Sequence, residues 1–325
     1  MSRLAFRFSE QANGVSELHG QVARKMWAHL WPERRVEDVP ITHITNGIHT
    51  RTWLARRLGI LFDRYLGPDW LQNLDDPAFW EAVQHIPDQE LWGVHRHLKR
   101  KLLYYIQDRA RRTWIKGDTH PVQIIAGGVL LDPNVLTIGF ARRFATYKRA
   151  DLILSDPERL LKLLNKPGMP VQMIFAGKAH PADEPGKRLI QNLYRFIKQH
   201  PNGGRLVFLE DYDMNLARYL LQGVDVWLNT PRRPNEASGT SGMKAALNGV
   251  LNLSILDGWW REGYNGFNGW VIGEDFTRDN IEEQDRADAL SLYETLEESI
   301  IPAYYDHASN GLPLEWLARM KNSIQ

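Results

Sequence analysis

From residue 123 onward the chain alternates between short apolar runs and longer mixed segments. Residues 135–139, 171–176, 206–209, 224–228, 251–256 and 270–272 form near-continuous apolar stretches. That is the pattern of strands covered on both faces. Between several of them lie segments with helical patterning, at 150–164, 185–200, 214–221 and 242–248. Short buried strands separated by helices of this length predict βαβ units and a parallel sheet, an α/β fold. Ligands of such sheets bind beyond the carboxyl ends of the strands. The loops there are residues 141–149, 177–180, 211–213 and 230–241, and all four are polar.

The earlier part of the chain is helical. Leu91, Val94, Leu98, Leu102 and Tyr105 follow helical spacing within a helical segment at 76–114, with Lys and Arg on the other positions. Residues 1–50 hold one helical stretch, 18–31, and a polar loop at 45–50, and do not read as a self-contained domain. A last helix is predicted at 287–299, followed by a tail to Gln325. His95 and His97 stand two apart on a predicted helix and so diverge, which argues against a metal site there.

Composition narrows the classes. With 40 basic against 39 acidic residues the net charge is +1, which argues against generic nucleic-acid or membrane-surface binding. The absence of cysteine excludes disulfides and thiolate catalysis. No apolar run is long enough to span a bilayer, and the start lacks the apolar stretch of a signal peptide, so a soluble cytoplasmic protein is expected. The 12 tryptophans and 11 tyrosines suit sugar-binding faces and large cores alike.

The densest chemistry lies in the loops. Lys244 sits in the turn Glu236-Ala-Ser-Gly-Thr-Ser-Gly-Met-Lys244-Ala-Ala-Leu-Asn-Gly, after the apolar run 224–228. Small residues let backbone N–H groups crowd toward a ligand at a helix start. A lysine just inside such a turn serves either as a point charge on a phosphate or as an amine for a Schiff base. The plainer alternative is a Ser/Gly loop with Ser241 capping a helix and Lys244 exposed. Neither a Walker motif nor a GxGxxG fingerprint occurs. Ala141-Arg-Arg-Phe-Ala-Thr-Tyr-Lys-Arg149 gathers four cations after another strand. They suit a shared phosphate, or else a solvated surface run. Asn229-Thr-Pro-Arg-Arg-Pro-Asn235 is held extended by two prolines, as a connector or a gate.

These segments resemble the α-glucan (glycogen, starch and maltodextrin) phosphorylases. The Lys244 turn is similar to that family's pyridoxal-phosphate lysine motif, and 141–149 to its basic phosphate motif. Further ordered matches are Thr45-Asn-Gly-Ile-His-Thr-Arg-Thr-Trp-Leu54, Ala176-Gly-Lys-Ala179, Val207-Phe-Leu-Glu-Asp-Tyr212 and Asn13-Gly-Val-Ser-Glu-Leu-His19. Ser241-Gly242 and Leu256-Asp-Gly-Trp-Trp260 look more like the bacterial branch. The resemblance implies phosphorolysis of terminal α-1,4-glucosidic bonds to glucose 1-phosphate, with retention. It implies that Lys244 holds pyridoxal phosphate through a Schiff base, with the cofactor's phosphate as the working group. Thr240, Ser241 and Arg142 would hold that phosphate, and Tyr212, Met214 and Trp53 would line the ring. Arg143 and Lys148 would bind the substrate phosphate; Asn46, Tyr147, Glu236, Ser238 and Gly239 would bind the glucosyl unit. Asp213 departs from the family, standing where some relatives carry a basic residue.

Family members are much longer. The resemblance therefore implies that residues 1–50 are the tail of an otherwise missing N-terminal glucan-binding domain with its crossover. Residues 51–325 would be the C-terminal Rossmann-like, pyridoxal-phosphate-binding domain of a two-domain GT-B-type glycosyltransferase, shortened at its end. Weak or no turnover is expected of the chain alone, because half of the site's wall would be absent. Full-length relatives are expected to be homodimers. Two other readings stand beside this one: a retaining, nucleotide-sugar-dependent glucosyltransferase similar to glycogen synthase, and a non-catalytic cofactor-binding chain.

Overall fold

The computed structural model of the chain describes residues 2–115, 121–200 and 204–325. Its centre is a six-stranded sheet made of β3 (Leu136–Ala141), β4 (Val171–Ala176), β5 (Leu206–Leu209), β6 (Val226–Asn229), β7 (Leu251–Ile255) and β8 (Gly269–Ile272). The spatial order is β5-β4-β3-β6-β7-β8, and every neighbouring pair is parallel. A separate small parallel pair joins β1 (Asn13–Gly14) to β2 (Thr42–His43). The chain runs outward from β3 to β5 and then returns to lay β6 on the other side of β3. This is the doubly wound order, and its reversal between β3 and β6 opens a crevice at the carboxyl ends of those strands.

Side chains alternate across the sheet and divide the core in two. Leu136, Ile138, Phe140, Met173, Phe175, Phe208, Val226 and Leu228 pack into one layer, with the helices Pro157–Leu164, Ile281–Thr295 and Leu314–Ile324. Ile174, Ala176, Val207, Leu209 and Trp227 pack into the other, with the helix Met214–Gly223 and part of the helix Asp88–Ile115. All residues of β3 to β7 are buried, which is why those strands read as mainly apolar runs, broken only by single buried polar residues such as Gln172 and Asn252. No helix among the described residues is long and apolar enough to cross a membrane.

Two of the predicted strands, 171–176 and 206–209, are present with the same ends and the other four with an end shifted by one or two residues, and the helices differ more. The 150–164 segment divides into a tight turn, Leu152–Leu154, and the helix Pro157–Leu164, because Asp156 caps a new start by accepting from the Arg159 amide. The 76–114 segment breaks at Pro87, ahead of the 28-residue helix Asp88–Ile115. The last predicted helix starts earlier, at Ile281 under an Asn280 cap, and continues through a wide turn, Leu296–Ile300, into Ile301–Tyr305. The tail folds as well: the helix Leu314–Ile324 buries Trp316, Leu317 and Met320. Helix Arg56–Tyr65, which sequence patterning missed, buries Leu58, Leu61 and Phe62.

Candidate functional site

Three loops converge at the carboxyl edge. The loop after β3 is extended at first, so successive side chains alternate: Arg142 and Phe144 are buried and Arg143 between them is exposed. A short turn, Thr146–Lys148, then brings Lys148 back inward. The loop after β6 carries Glu236. Arg142 Nη2 and Lys148 Nζ each donate to Glu236 Oε2 at 2.7 Å. Burial would raise the Glu236 pKa, but Arg142 and then Lys148 outweigh it and hold the carboxyl below its ordinary range. Two cations facing one carboxylate leave a positive surplus in a largely desolvated space. Arg142 Nε and Nη1 and the Ser238 hydroxyl are also buried without a hydrogen-bond partner among the described residues. Buried polar groups are nearly always paired, so these open positions are suited to a polar, anionic ligand.

Lys244 lies on the short helix Thr240–Ala246, entered through Gly239 at φ 86°, a left-handed conformation natural to glycine. Its amine sits 4.0 Å from the centre of the Trp53 ring and has no hydrogen-bond or ion-pair partner among the described residues. Burial lowers its pKa below the usual lysine range. The contact is built by Asn248. Its Nδ2 donates to Trp53 O at 3.0 Å and Lys244 O at 2.8 Å, and its Oδ1 accepts from Ala55 N at 2.8 Å. Gln222 Nε2 adds a bond to Trp53 O at 3.0 Å. A desolvated, unpaired amine on an aromatic face is an arrangement that favours a reactive nitrogen.

The loop after β7 supports the Glu236 turn. Asp257 Oδ2 accepts from the Glu236 amide at 2.9 Å, and Trp259 N donates to Ser238 O at 2.8 Å. The N-terminal segment docks on the same turn. Ser16 Oγ donates to Ala237 O at 2.8 Å, and Glu262 accepts from Glu17 N and from the Thr45 hydroxyl.

The model for carbohydrate phosphorylases matches residues 1–262. The chain belongs to this family. It is 48% identical to the glycogen phosphorylase of Aquifex aeolicus over 99% of this chain and 46% of that protein. It is 47% identical to the maltodextrin phosphorylase of Thermococcus litoralis, over all of this chain and 38% of that protein. With the glycogen phosphorylase of Mycobacterium tuberculosis the identity is 42%, over 37% of that protein. The chain thus spans less than half the length of these curated relatives.

The residues singled out in this carbohydrate phosphorylase chain fall into three groups. Arg142, Lys148, Glu236 and Ser238 come together, beside Gly239, and Lys244 meets Trp53. Tyr147, Tyr212, Thr240 and Ser241 lie partly buried around them. The Lys148 amine lies 4.8 Å from the Tyr147 ring centre. Ser241 Oγ accepts from Trp227 Nε1 at 3.3 Å. Burial pushes the Tyr212 phenol up to about 12 against the opposing charge of Arg142. Arg143, Met214 and Asn46 form the third group: their side chains are exposed and lie outside the buried cluster. Arg149, the fourth cation of its loop, faces elsewhere. It binds Asp285, Asp288 and the Thr230 and Pro231 carbonyls. Sequence reasoning missed the roles of Asp257, Asn248 and Gln222. An Asp-Gly pair just past a predicted strand, at the ligand-binding edge, was the available signal for Asp257.

Proposed function

We propose that this chain forms the cofactor side of an α-glucan phosphorylase, acting on terminal α-1,4-glucosidic bonds with inorganic phosphate to give glucose 1-phosphate. The observation that carries the reading is the convergence of Arg142 and Lys148 on one oxygen of Glu236, in a chain of the carbohydrate phosphorylase family. A site for phosphate and sugar together needs cations for the one and a hydroxyl-binding carboxylate for the other.

The residues fit pyridoxal phosphate. Lys244 offers an unpaired amine of lowered pKa, Trp53 an aromatic face beside it, and Arg142 buried guanidinium N–H groups still open to an anion. In this reading Lys244 anchors the cofactor, Trp53 and Tyr212 line it, and Arg142, Thr240 and Ser241 hold its phosphate. When bound, the cofactor supplies a phosphate group that exchanges a proton with the substrate phosphate. Lys148, with Arg143 from the exposed part of the loop, offsets the repulsion between two phosphate groups, which is strong at short range in low dielectric. Glu236, Ser238, Gly239, Tyr147 and Asn46 orient the glucosyl unit. Residues 51–325 then correspond to the Rossmann-like half of a GT-B-type enzyme and 1–50 to the end of the other half. A cytoplasmic homodimer follows from the same reading.

Borohydride reduction of the chain loaded with pyridoxal phosphate, followed by peptide mapping, tests it. The modified residue is expected to be Lys244. A folded, loaded sample without label at Lys244 overturns the assignment, and binding of a nucleoside diphosphate glucose in its place would favour a nucleotide-sugar enzyme.

A further inference from the structure

Asp257 is 3% exposed, just past the end of β7. Its two oxygens serve two backbone amides: Oδ2 accepts from Glu236 N and Oδ1 from Gly258 N, both at 2.9 Å. Gly258 then turns with φ 56°, so closely packed that a Cβ there would lie 2.3 Å from Ser238 O. The next residue, Trp259, donates its amide to that same carbonyl at 2.8 Å. Residues 257–259 thus form a strap along the backbone of 236–238. A small cavity adjoins it, lined in part by Arg142, Glu236, Ser238, Asp257 and Trp260. Arg142 Nε and Nη1, Ser238 Oγ and Trp260 Nε1 are buried without partners among the described residues.

A carboxylate is a costly choice for this task. It makes no ion pair among the described residues, it is buried, and its neighbour Glu236 is also negative. Fixing a turn needs no charge, but here the two amides go to separate oxygens, and asparagine would put an NH2 donor in place of one of them.

We propose that Asp257 is a positioning residue for the sugar side of the site. It sets the backbone of Glu236 and, through Gly258 and Trp259, that of Ser238, and so decides how the glucosyl hydroxyls are met. The inference rests on the phosphorylase reading for the identity of the sugar, while its structural part stands by itself. Burial pushes the Asp257 carboxyl up to about 6; Glu236 adds to the rise, and the two amide bonds and Arg233 oppose it. A carboxyl that is harder to ionise in the folded chain favours the folded arrangement when protonated, so low pH is not expected to open the strap.

Two measurements on wild type and Asp257→Asn test this. The first is hydrogen exchange of the peptide 235–243, normalised to intrinsic rates. Faster exchange is expected in the variant, with the peptide 206–223 unchanged as a control for folding. The second is calorimetric titration of the cofactor-loaded chain with glucose 1-phosphate and with inorganic phosphate. The variant should bind glucose 1-phosphate about tenfold more weakly, the effect of one lost buried hydrogen bond, and inorganic phosphate nearly as wild type. Unchanged exchange at 235–243, or equal weakening of both ligands, overturns the proposal. A wild-type chain that binds neither ligand overturns the phosphorylase reading and the sugar assignment with it, and the exchange data separate that failure from one of the strap. Should Asp257→Asn fail to fold, Gly258→Ala, whose Cβ would press on Ser238 O, replaces it in both measurements with the same expected and overturning outcomes.

Discussion

At the amino end of β6, Asp225 gathers a buried cluster; at the carboxyl end of the same strand, the loop to Glu236 gathers another. In the first, Asp225 Oδ2 accepts from Lys99 Nζ at 2.5 Å and Thr137 N at 2.7 Å, and Oδ1 meets His95 Nε2 at 2.7 Å. Lys99 completes its set with Val135 O at 2.7 Å and the Tyr304 hydroxyl at 2.9 Å, so its three donors are all engaged. In the second, Arg142 reaches Glu236 with one nitrogen and leaves two buried without partners, and Ser238 Oγ is also unpaired. Both clusters bury charge in one protein. The amino-end cluster is nearly closed, apart from His95 Nδ1, and ties the helix Asp88–Ile115 to β3, β6 and the helix Ile301–Tyr305. The carboxyl-end cluster is open on several sides. Full satisfaction marks a structural network; open donors beside a cation surplus mark a place made for something else.

The contrast can be broken experimentally. Replacing Lys99 by methionine strands Asp225 in the core and should cost about 3–5 kcal/mol of unfolding free energy in denaturant titration. A loss below about 1 kcal/mol would mean that the cluster is not the lock its geometry suggests. Asn248→Ala removes the bonds to Trp53, Ala55 and Lys244 and should cost about 1–3 kcal/mol, because buried backbone groups lose their partner. It should also let Trp53 move off the Lys244 amine, which raises the pH at which that amine reacts with an aldehyde. Arg142→Met should change stability least, within about 1 kcal/mol, since Lys148 still pairs Glu236. Its affinity for pyridoxal phosphate should nonetheless fall about tenfold or more, as measured by calorimetry, because a charge-assisted contact to the cofactor's phosphate is gone. If Arg142→Met instead destabilised the fold as much as Lys99→Met, the two clusters would be of one kind.

Much of this was legible in the residues. Runs such as 171–176 and 206–209 match their strands end for end, because strands buried on both faces carry little but apolar residues. The Lys244 turn was legible because a Gly/Ser-rich loop ahead of a short helix is a local feature. Arg142, Arg143, Lys148 and Arg149 were not told apart by sequence. One faces Glu236 from the extended strand end, one faces solvent, one returns through a turn and one binds Asp285 and Asp288. Asp257 and Asn248 looked like ordinary turn and helix residues, since their partners include Glu236, 21 residues away, and Ala55, 193 residues away. The helix Leu314–Ile324 was read as a tail because its apolar face is understood only once the core that receives it is in view.

By itself, then, the sequence determined the parallel α/β sheet, the edge of that sheet where ligands would bind, the Lys244 turn and the family. The first three follow from residue periodicity and turn chemistry, which act over a few neighbouring positions, and the family from motifs that resemble it. Only the tertiary structure decided which cations meet Glu236, what holds Trp53 against Lys244 and why a buried Asp257 lies behind the turn. Charge pairing and desolvation depend on distance through space, and here the paired residues lie 88 and 94 positions apart along the chain.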